Sequence, residues 1–242
     1  MSTPEYSLSY FERYLQPSRF GRRVLGEKSV AFWTRRIASK VGDGARLLEV
    51  GAGTGHFGAE ASKRFRYVGT DISPDAVAWG RENLGVDLQL ADAQNLPFGD
   101  NSFDVVVAFD LVEHLPDPES FFREAARVLR CDGFLHVRTP NTRSLGVRLK
   151  DGRTGLTPSM YLDATHCSLL PPGEWLAAAR HAGFRVTGHG TDGLWDFPYT
   201  TAVPSILQKV ALMPLNGLLN RTLGYLPWSI GENFFVEARR LA

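Results

Sequence analysis

The feature that most constrains the fold is an apolar segment that ends directly in a run of glycines. Residues 45–50 have the composition of a buried strand, and Gly51, Gly53 and Gly55 follow it at two-residue spacing. Glycine reaches backbone conformations that other residues resist, so this spacing predicts a tight turn that leads into a helix and lets a ligand approach the main chain. A purely structural strand-to-helix turn is the alternative interpretation.

Strands and helices continue to alternate along the chain. Helices are predicted to begin at Pro74, Pro118 and Pro172, because proline is tolerated as the first helical residue. Apolar strands separated by helices predict an α/β fold with a doubly wound, mostly parallel sheet that is covered on both faces. The predicted strands cover residues 45–50, 66–71, 86–91, 103–109, 134–138, 184–189 and 233–239.

Three segments stand outside this alternation. Residues 8–40 are predicted to be helical, with interruptions near Pro17 and Gly21, and we interpret residues 1–41 as an N-terminal helical lid on a domain of residues 42–242. Insertions at about 140–170 and 195–231 break the pattern, and long insertions in a compact domain often form lids or binding loops. We expect them to form a substrate cap, with the helical part of the cap before the last strand.

Composition narrows the possible partners and locations. Lys plus Arg number 27 against 26 Asp plus Glu, so the chain lacks the basic field on which nucleic-acid binding depends. The N-terminus has no signal-peptide pattern, and no apolar stretch approaches the roughly 18 residues of a spanning helix. Two cysteines, Cys131 and Cys167, fit a reducing compartment. We therefore expect a cytoplasmic protein with no stable membrane insertion, and the sequence does not specify its oligomeric state.

Acidic side chains lie at four strand ends, namely Glu49, Asp71, Asp92 and Asp110. Asp71 lies about 20 residues beyond the first glycine, where a carboxylate can accept hydrogen bonds from both ribose hydroxyls. Asp92 is placed to accept one from an adenine amino group. Clustered carboxylates repel one another, so a ligand with donors or positive charge would stabilise them. A nicotinamide dehydrogenase is disfavoured, because its fingerprint requires glycine or alanine where this chain has His56.

The combined motifs resemble those of class I S-adenosylmethionine-dependent methyltransferases. They are Glu49-Val-Gly-Ala-Gly-Thr-Gly, Asp71-Ile-Ser-Pro, Asp92-Ala-Gln-Asn-Leu-Pro-Phe and Phe103-Asp-Val-Val-Val, and the resemblance covers roughly residues 45–190. It implies a Rossmann-like seven-stranded sheet with an antiparallel last strand. It also implies S-adenosylmethionine as the cofactor, since the sulfonium cation suits an acid-rich site. The cofactor contacts expected from it are Glu49, Gly51, Ala52, Gly53, Gly55, Asp71, Ile72, Asp92, Ala93 and Phe109.

Methyl transfer requires an acceptor held in line with the methyl group, and a base only when that acceptor must lose a proton. His114 and His166 are the predicted catalytic residues, as a base or as groups that orient the substrate. The alternatives are that His114 finishes a short helix and that His166 pins the first insertion. Tyr10, Trp195 and Tyr199 are predicted substrate contacts, with purely structural packing as the alternative.

Asp110, Glu113 and His114 have a spacing that can gather three metal ligands on one helical face. This stretch resembles an acid-x-x-Glu-His set that is associated with a divalent metal in ubiquinone-pathway O-methyltransferases, although the first acid is Asp here. Many relatives carry Glu-His as an ordinary helix start, so a metal is the less favoured interpretation.

The predicted function is methyl transfer from S-adenosylmethionine to a small-molecule acceptor, at a hydroxyl oxygen of a secondary metabolite, quinone or lipid-like compound. Nitrogen and carbon acceptors remain open. A non-catalytic module that binds S-adenosylmethionine is the alternative from a different class of function. The near-neutral charge disfavours an RNA methyltransferase.

Overall fold

The computed structural model describes residues 10, 19–150, 155–222, 226 and 230–242. Seven strands and seven α-helices lie in this part of the chain. The strands are β1 (Arg46–Val50), β2 (Arg66–Asp71), β3 (Leu88–Leu90), β4 (Phe103–Phe109), β5 (Leu129–Pro140), β6 (Phe184–Asp192) and β7 (Asn233–Arg240). The helices are α1 (Arg19–Val41), α2 (His56–Ala61), α3 (Pro74–Leu84), α4 (Pro118–Val128), α5 (Leu145–Leu149), α6 (Pro172–His181) and α7 (Ser205–Thr222).

The strands form one sheet in the order β3-β2-β1-β4-β5-β7-β6. Strand β1 pairs in parallel with β2 and β4, β2 pairs in parallel with β3, and the last strands are antiparallel. This arrangement confirms the predicted α/β fold with a mostly parallel seven-stranded sheet. Along the described residues, every helix is too short or too polar to cross a bilayer.

Several predicted boundaries are wrong. The predicted break near Gly21 is absent, because α1 runs through this residue, whereas Pro17 lies outside the described residues. Strand β3 is shorter than predicted, and β5 begins at Leu129 instead of residue 134. The first insertion, predicted without regular structure, contains the short helix α5.

The described residues divide into two compact units. The first comprises residues 1–109, 120–135 and 239–242, so far as these are described. Its centre is β1, whose Leu47 is fully buried and lies in register with Tyr67 of β2 and Val105 of β4. Helix α1 contributes Trp33 to this core, with its ring centroid 6.4 Å from that of Phe109.

The second unit comprises residues 110–119 and 136–238. Helix α6 packs on β6 and buries Trp175 there. Helix α7 instead leaves much of its apolar surface exposed, with Ile206 and Val210 64% and 66% accessible. This unit holds the residues of both insertions, and the roles of residues 1–41 as a lid and of the insertions as a cap stay predictions.

Candidate functional site

The glycine-rich turn forms as the sequence predicts, directly between β1 and α2. Gly51, Gly53 and Gly55 have φ values of 73°, 52° and 82°, which side chains other than glycine rarely adopt. The backbone N–H groups of Gly51 and Ala52 both donate to the carbonyl oxygen of Thr70, at 2.8 Å. The turn is therefore held by the end of β2 and needs glycine for its path.

Asp71, at the end of β2, joins this turn to the next helix. Its Oδ2 accepts a hydrogen bond from the Gly53 N–H at 2.7 Å, and its Oδ1 accepts one from the Ser73 N–H at 2.9 Å. Burial raises the pKa of Asp71, and these backbone donors act in the opposite direction. Each carboxylate oxygen has a second lone pair, so the predicted contact with ribose hydroxyls is compatible with both bonds.

Glu49, at the end of β1, is almost completely buried at 3% exposure. The Tyr67 hydroxyl donates to its Oε2 at 2.5 Å. Burial raises the pKa of Glu49 to about 8; the Tyr67 bond opposes this rise, and the charge of Asp71 adds to it. With this pKa, the Glu49 carboxyl is mostly protonated and uncharged at pH 7, and it lies one residue before the end of β1, next to the glycine-rich turn.

Tyr67 is a residue of this site that sequence reasoning missed. Its ring lies between two glycines: a Cβ on Gly58 would be 2.4 Å from Tyr67 Cζ, and one on Gly69 would be 2.3 Å from the hydroxyl oxygen. Both distances are shorter than any real contact, so the two glycines make room for the phenol that holds Glu49. Tyr67 carried no sequence signal, because an aromatic residue in a strand is ordinary core.

Two large apolar side chains lie exposed next to Asp71. Ile72 is 52% exposed and Leu90, at the end of β3, is 57% exposed. Leu90 lies in register with Asp71 across the β2–β3 pair. Exposed apolar side chains beside buried carboxylates suit a ligand with a flat ring and polar groups. Ile72 was a predicted contact, whereas nothing in the sequence distinguished Leu90.

The remaining predicted cofactor contacts also lie in the first unit. Asp92 is exposed, and its Oδ1 accepts from the Gln94 N–H at 2.8 Å. Ala93 is buried, while Phe109 is half-buried and packs against Phe57 with the two rings tilted and their centroids 4.8 Å apart. Their contacts with a cofactor stay predictions.

The second unit brings Glu113, His114 and His166 together, with one potential metal-ligand atom of each within 4.8 Å of the others. The two imidazole centroids are 4.7 Å apart. Burial, and then the charge of Asp110, raise the pKa of the Glu113 carboxyl. Burial, and then His166, lower the pKa of His114. Both shifts favour the neutral forms of these groups.

Backbone hydrogen bonds hold this cluster together. The Glu113 carbonyl oxygen accepts from the N–H groups of both Cys167 and Ser168, each at 2.9 Å. The Nδ1 atom of His166 lies 2.7 Å from the carbonyl oxygen of Met160. These bonds support the alternative interpretation in which the segment around His166 is pinned in place. Its catalytic role stays a prediction.

The structure does not group Asp110 with Glu113 and His114 on one helical face. The short 3-10 helix begins at Val112, and Asp110 precedes it in a left-handed conformation with φ of 52°. The Asp110 carboxylate instead pairs with the guanidinium of Arg138. Among the described residues, His166 takes the place in the ligand cluster that the sequence assigned to Asp110.

The predicted substrate contacts differ in exposure. Trp195 is 51% exposed. Tyr199 is only 3% exposed, and its hydroxyl donates to Glu232 Oε1 at 2.7 Å, which favours a packing role. Tyr10 is half-buried. Contact of any of these residues with a substrate stays a prediction.

Proteins of the Rossmann-like class bind nucleotides beyond the carboxyl ends of parallel strands, beside a glycine-rich turn, which is where Glu49 and Asp71 lie here. Residues 48–137 match the family model described as a methyltransferase domain. A solved S-adenosylmethionine-dependent methyltransferase from Archaeoglobus fulgidus superimposes with a TM-score of 0.60 at 20% identity, over 88% of this chain and 94% of that one.

Curated relatives give the same result. A probable S-adenosylmethionine-dependent methyltransferase from Mycolicibacterium smegmatis is 36% identical over 68% of this chain and 64% of its own length. Phosphatidylethanolamine N-methyltransferase from Cereibacter sphaeroides is 41% identical over 41% of this chain and 53% of its own length. The matches support a class I S-adenosylmethionine-dependent methyltransferase, with the methyltransferase domain over residues 48–137. The chain spans between 35% and 64% of the length of such relatives.

Proposed function

We propose that the chain binds S-adenosylmethionine in its first unit and transfers the methyl group to a small-molecule acceptor. The observation that carries this proposal is the Asp71 carboxylate, which holds the Gly53 N–H while it retains lone pairs for a ligand. A carboxylate in this position, at the end of the second strand, suits ribose hydroxyls.

The residues present fit this cofactor chemically. Glu49 and Asp71 suit a ligand with an ammonium group and hydroxyl donors, and Ile72 with Leu90 suits an adenine ring. S-adenosylmethionine supplies a methyl group that its sulfonium makes electrophilic. In our proposal the protein mainly positions the acceptor, and His114 or His166 serves as a base only for an acceptor that must lose a proton.

We further propose that the acceptor is lipid-like and is methylated at a hydroxyl oxygen. One relative is named for a phospholipid substrate, phosphatidylethanolamine, which supports the first part. The exposed apolar side chains of α7, such as Ile206 and Val210, also support an apolar acceptor. The resemblance to O-methyltransferases supports oxygen as the accepting atom. A cytoplasmic location completes the proposal, and the free thiols of Cys131 and Cys167 are consistent with it.

Calorimetric titration with S-adenosylmethionine tests cofactor binding. Asp71→Asn replaces the carboxylate that we expect to accept from the ribose hydroxyls by a neutral amide, and losing a hydrogen bond to a charged group costs about 1.5–3 kcal/mol. We expect affinity for S-adenosylmethionine to fall roughly 10- to 150-fold. The matched control is Asp75→Asn, at an exposed aspartate in the first turn of α3, which should bind as the wild type does. Absence of wild-type binding would overturn the proposal.

A transfer assay with methyl-labelled S-adenosylmethionine tests the acceptor. The acceptor panel should include a long-chain fatty acid, a long-chain phenol, phosphatidylethanolamine and a polar phenol of similar acidity. Label on the long-chain phenol but not on the polar phenol supports a lipid-like oxygen acceptor. Label on phosphatidylethanolamine alone moves the assignment to nitrogen. Tight cofactor binding with no labelled product on a wider panel favours the non-catalytic module.

A further inference from the structure

A base role for one histidine does not account for the whole cluster of Glu113, His114 and His166. One carboxylate and two imidazoles converge within the second unit, with one potential ligand atom of each inside 4.8 Å. Two imidazole nitrogens with one carboxylate oxygen are ligands that suit Zn²⁺ and its transition-metal neighbours.

Glu113 provides an independent indication of a ligand. The side chain is fully buried, with 0% exposure. Its Oε2 accepts a hydrogen bond from the Thr139 hydroxyl at 3.0 Å. Its Oε1 is buried and accepts no hydrogen bond within the described ranges of the chain. A buried carboxylate oxygen that lacks a donor is costly, and a coordinated cation compensates for it directly.

The hydrogen bonds of His166 orient its imidazole as a metal ligand. Its Nδ1 lies 2.7 Å from the Met160 carbonyl oxygen, which can only accept. The proton therefore belongs on Nδ1, and the Nε2 atom carries the lone pair. Metal-binding histidines are commonly held in this way by a backbone carbonyl on the nitrogen that does not bind metal.

The His114 imidazole is in the same tautomer as that of His166, although a different group binds its Nδ1 atom. Its Nδ1 lies 2.9 Å from the Thr165 hydroxyl oxygen, and that hydroxyl donates to Asp163 Oδ1 at 2.6 Å. The Thr165 oxygen must therefore accept from Nδ1–H, which again leaves the lone pair on Nε2. Both imidazoles are thus in the tautomer that coordinates a metal through Nε2.

We propose that Glu113, His114 and His166 form a binding site for one divalent transition-metal ion, with Zn²⁺ as the preferred occupant. Thr139 and Thr165 form the outer shell that orients the carboxylate and the His114 ring. At metal–ligand distances of about 2.0–2.2 Å, tetrahedral ligand atoms lie about 3.4 Å apart, so the three side chains draw together on binding. Three protein ligands leave a fourth position open.

Zinc titration of the metal-free protein, without S-adenosylmethionine, tests this proposal independently of methyl transfer. The protein is first dialysed against a chelator, and binding is then measured by competition with a chromophoric chelator. We expect one Zn²⁺ per chain in the wild type. His166→Ala should lose at least 100-fold in affinity, and His181→Ala, at the exposed end of α6, should bind as the wild type does.

A second variant keeps the test valid if His166→Ala does not fold. Thr165→Ala removes the hydroxyl that links His114 Nδ1 to Asp163 and leaves the three proposed ligands in place. Loss of such an outer-shell partner lowers affinity about 10- to 100-fold. Substitution with Co²⁺ adds a spectroscopic reading, because tetrahedral coordination gives intense visible absorption that both variants should weaken. Absence of stoichiometric metal in the wild type, or unchanged affinity in folded His166→Ala and Thr165→Ala, would overturn the proposal. Coordination uses the same lone pairs as a base role, so neither histidine can act as a base through Nε2 while it binds the metal.

Discussion

Glu49 makes a definite contribution to the pH dependence of folding stability. Its carboxyl is 3% exposed, and burial raises its pKa from 4.5 to about 8. Between these two values the folded chain therefore holds a proton that the unfolded chain releases. Because the folded state binds more protons, the free energy of unfolding must decrease as pH rises through this window. Glu49→Gln removes this contribution, since an amide does not ionise but can still accept from Tyr67.

The size of the effect follows from the pKa shift. The pKa of Glu49 is 4.5 in the unfolded chain and about 8 in the folded chain. As the pH rises from 5.5 to 7.5, this difference lowers the free energy of unfolding by about 2.5 kcal/mol. The slope cannot exceed about 1.4 kcal/mol per pH unit for one group. Other shifted groups, such as His114 and Glu113, also contribute to the wild-type curve. The difference between the variant and the wild type isolates the contribution of Glu49.

Urea unfolding of the cofactor-free protein at pH 5.5, 6.5 and 7.5 measures this difference. From pH 5.5 to 7.5, we expect the free energy of unfolding of Glu49→Gln to increase by about 2–3 kcal/mol relative to that of the wild type. The control is Glu82→Gln, at an exposed glutamate of α3, whose curve should run parallel to the wild-type curve. If Glu49→Gln also runs parallel, within about 0.5 kcal/mol, Glu49 titrates alike in both states and the argument from burial is wrong.

Three further substitutions test packing and polar contacts. Gly58→Ala should cost about 1–3 kcal/mol in thermal unfolding, because its Cβ would lie 2.4 Å from Tyr67 Cζ. Lys150→Met should cost about 3–5 kcal/mol in urea unfolding, because it leaves Asp196 buried without the ammonium 2.8 Å away. Ser73→Ala should cost about 1 kcal/mol, because its hydroxyl caps α3. A loss below about 0.3 kcal/mol in any of the three would contradict the corresponding contact.

The sheet was predictable because its strands are short apolar runs bounded by glycine, proline or acidic residues. The boundaries between elements depend on tertiary contacts where the local sequence is ambiguous. Leu129, for example, suits the end of α4 and the start of β5 equally. Asp132 in β5 has φ of 56°, a left-handed conformation that aspartate tolerates without leaving a sequence signal. Helix α1 continues through Gly21, because one glycine lowers helix stability without ending the helix.

The site was predictable only where a residue type is itself unusual. Gly53 and Asp71 were predicted from a motif, and the structure brings them into direct contact. His114 and His166 were each singled out, but their proximity depends on a contact between distant segments that no local pattern encodes. Tyr67 was missed for the same reason, since its partner Glu49 lies on a neighbouring strand.

The carbonyl oxygen of Glu113 accepts from two successive backbone N–H groups, at Cys167 and Ser168. Main-chain bonds of this kind do not depend on which side chains the intervening insertion carries. These bonds therefore anchor the segment at Cys167 and Ser168 whatever side chains precede it in the insertion. A chain built in this way can change what it recognises over evolutionary time and still keep its three converging side chains in place.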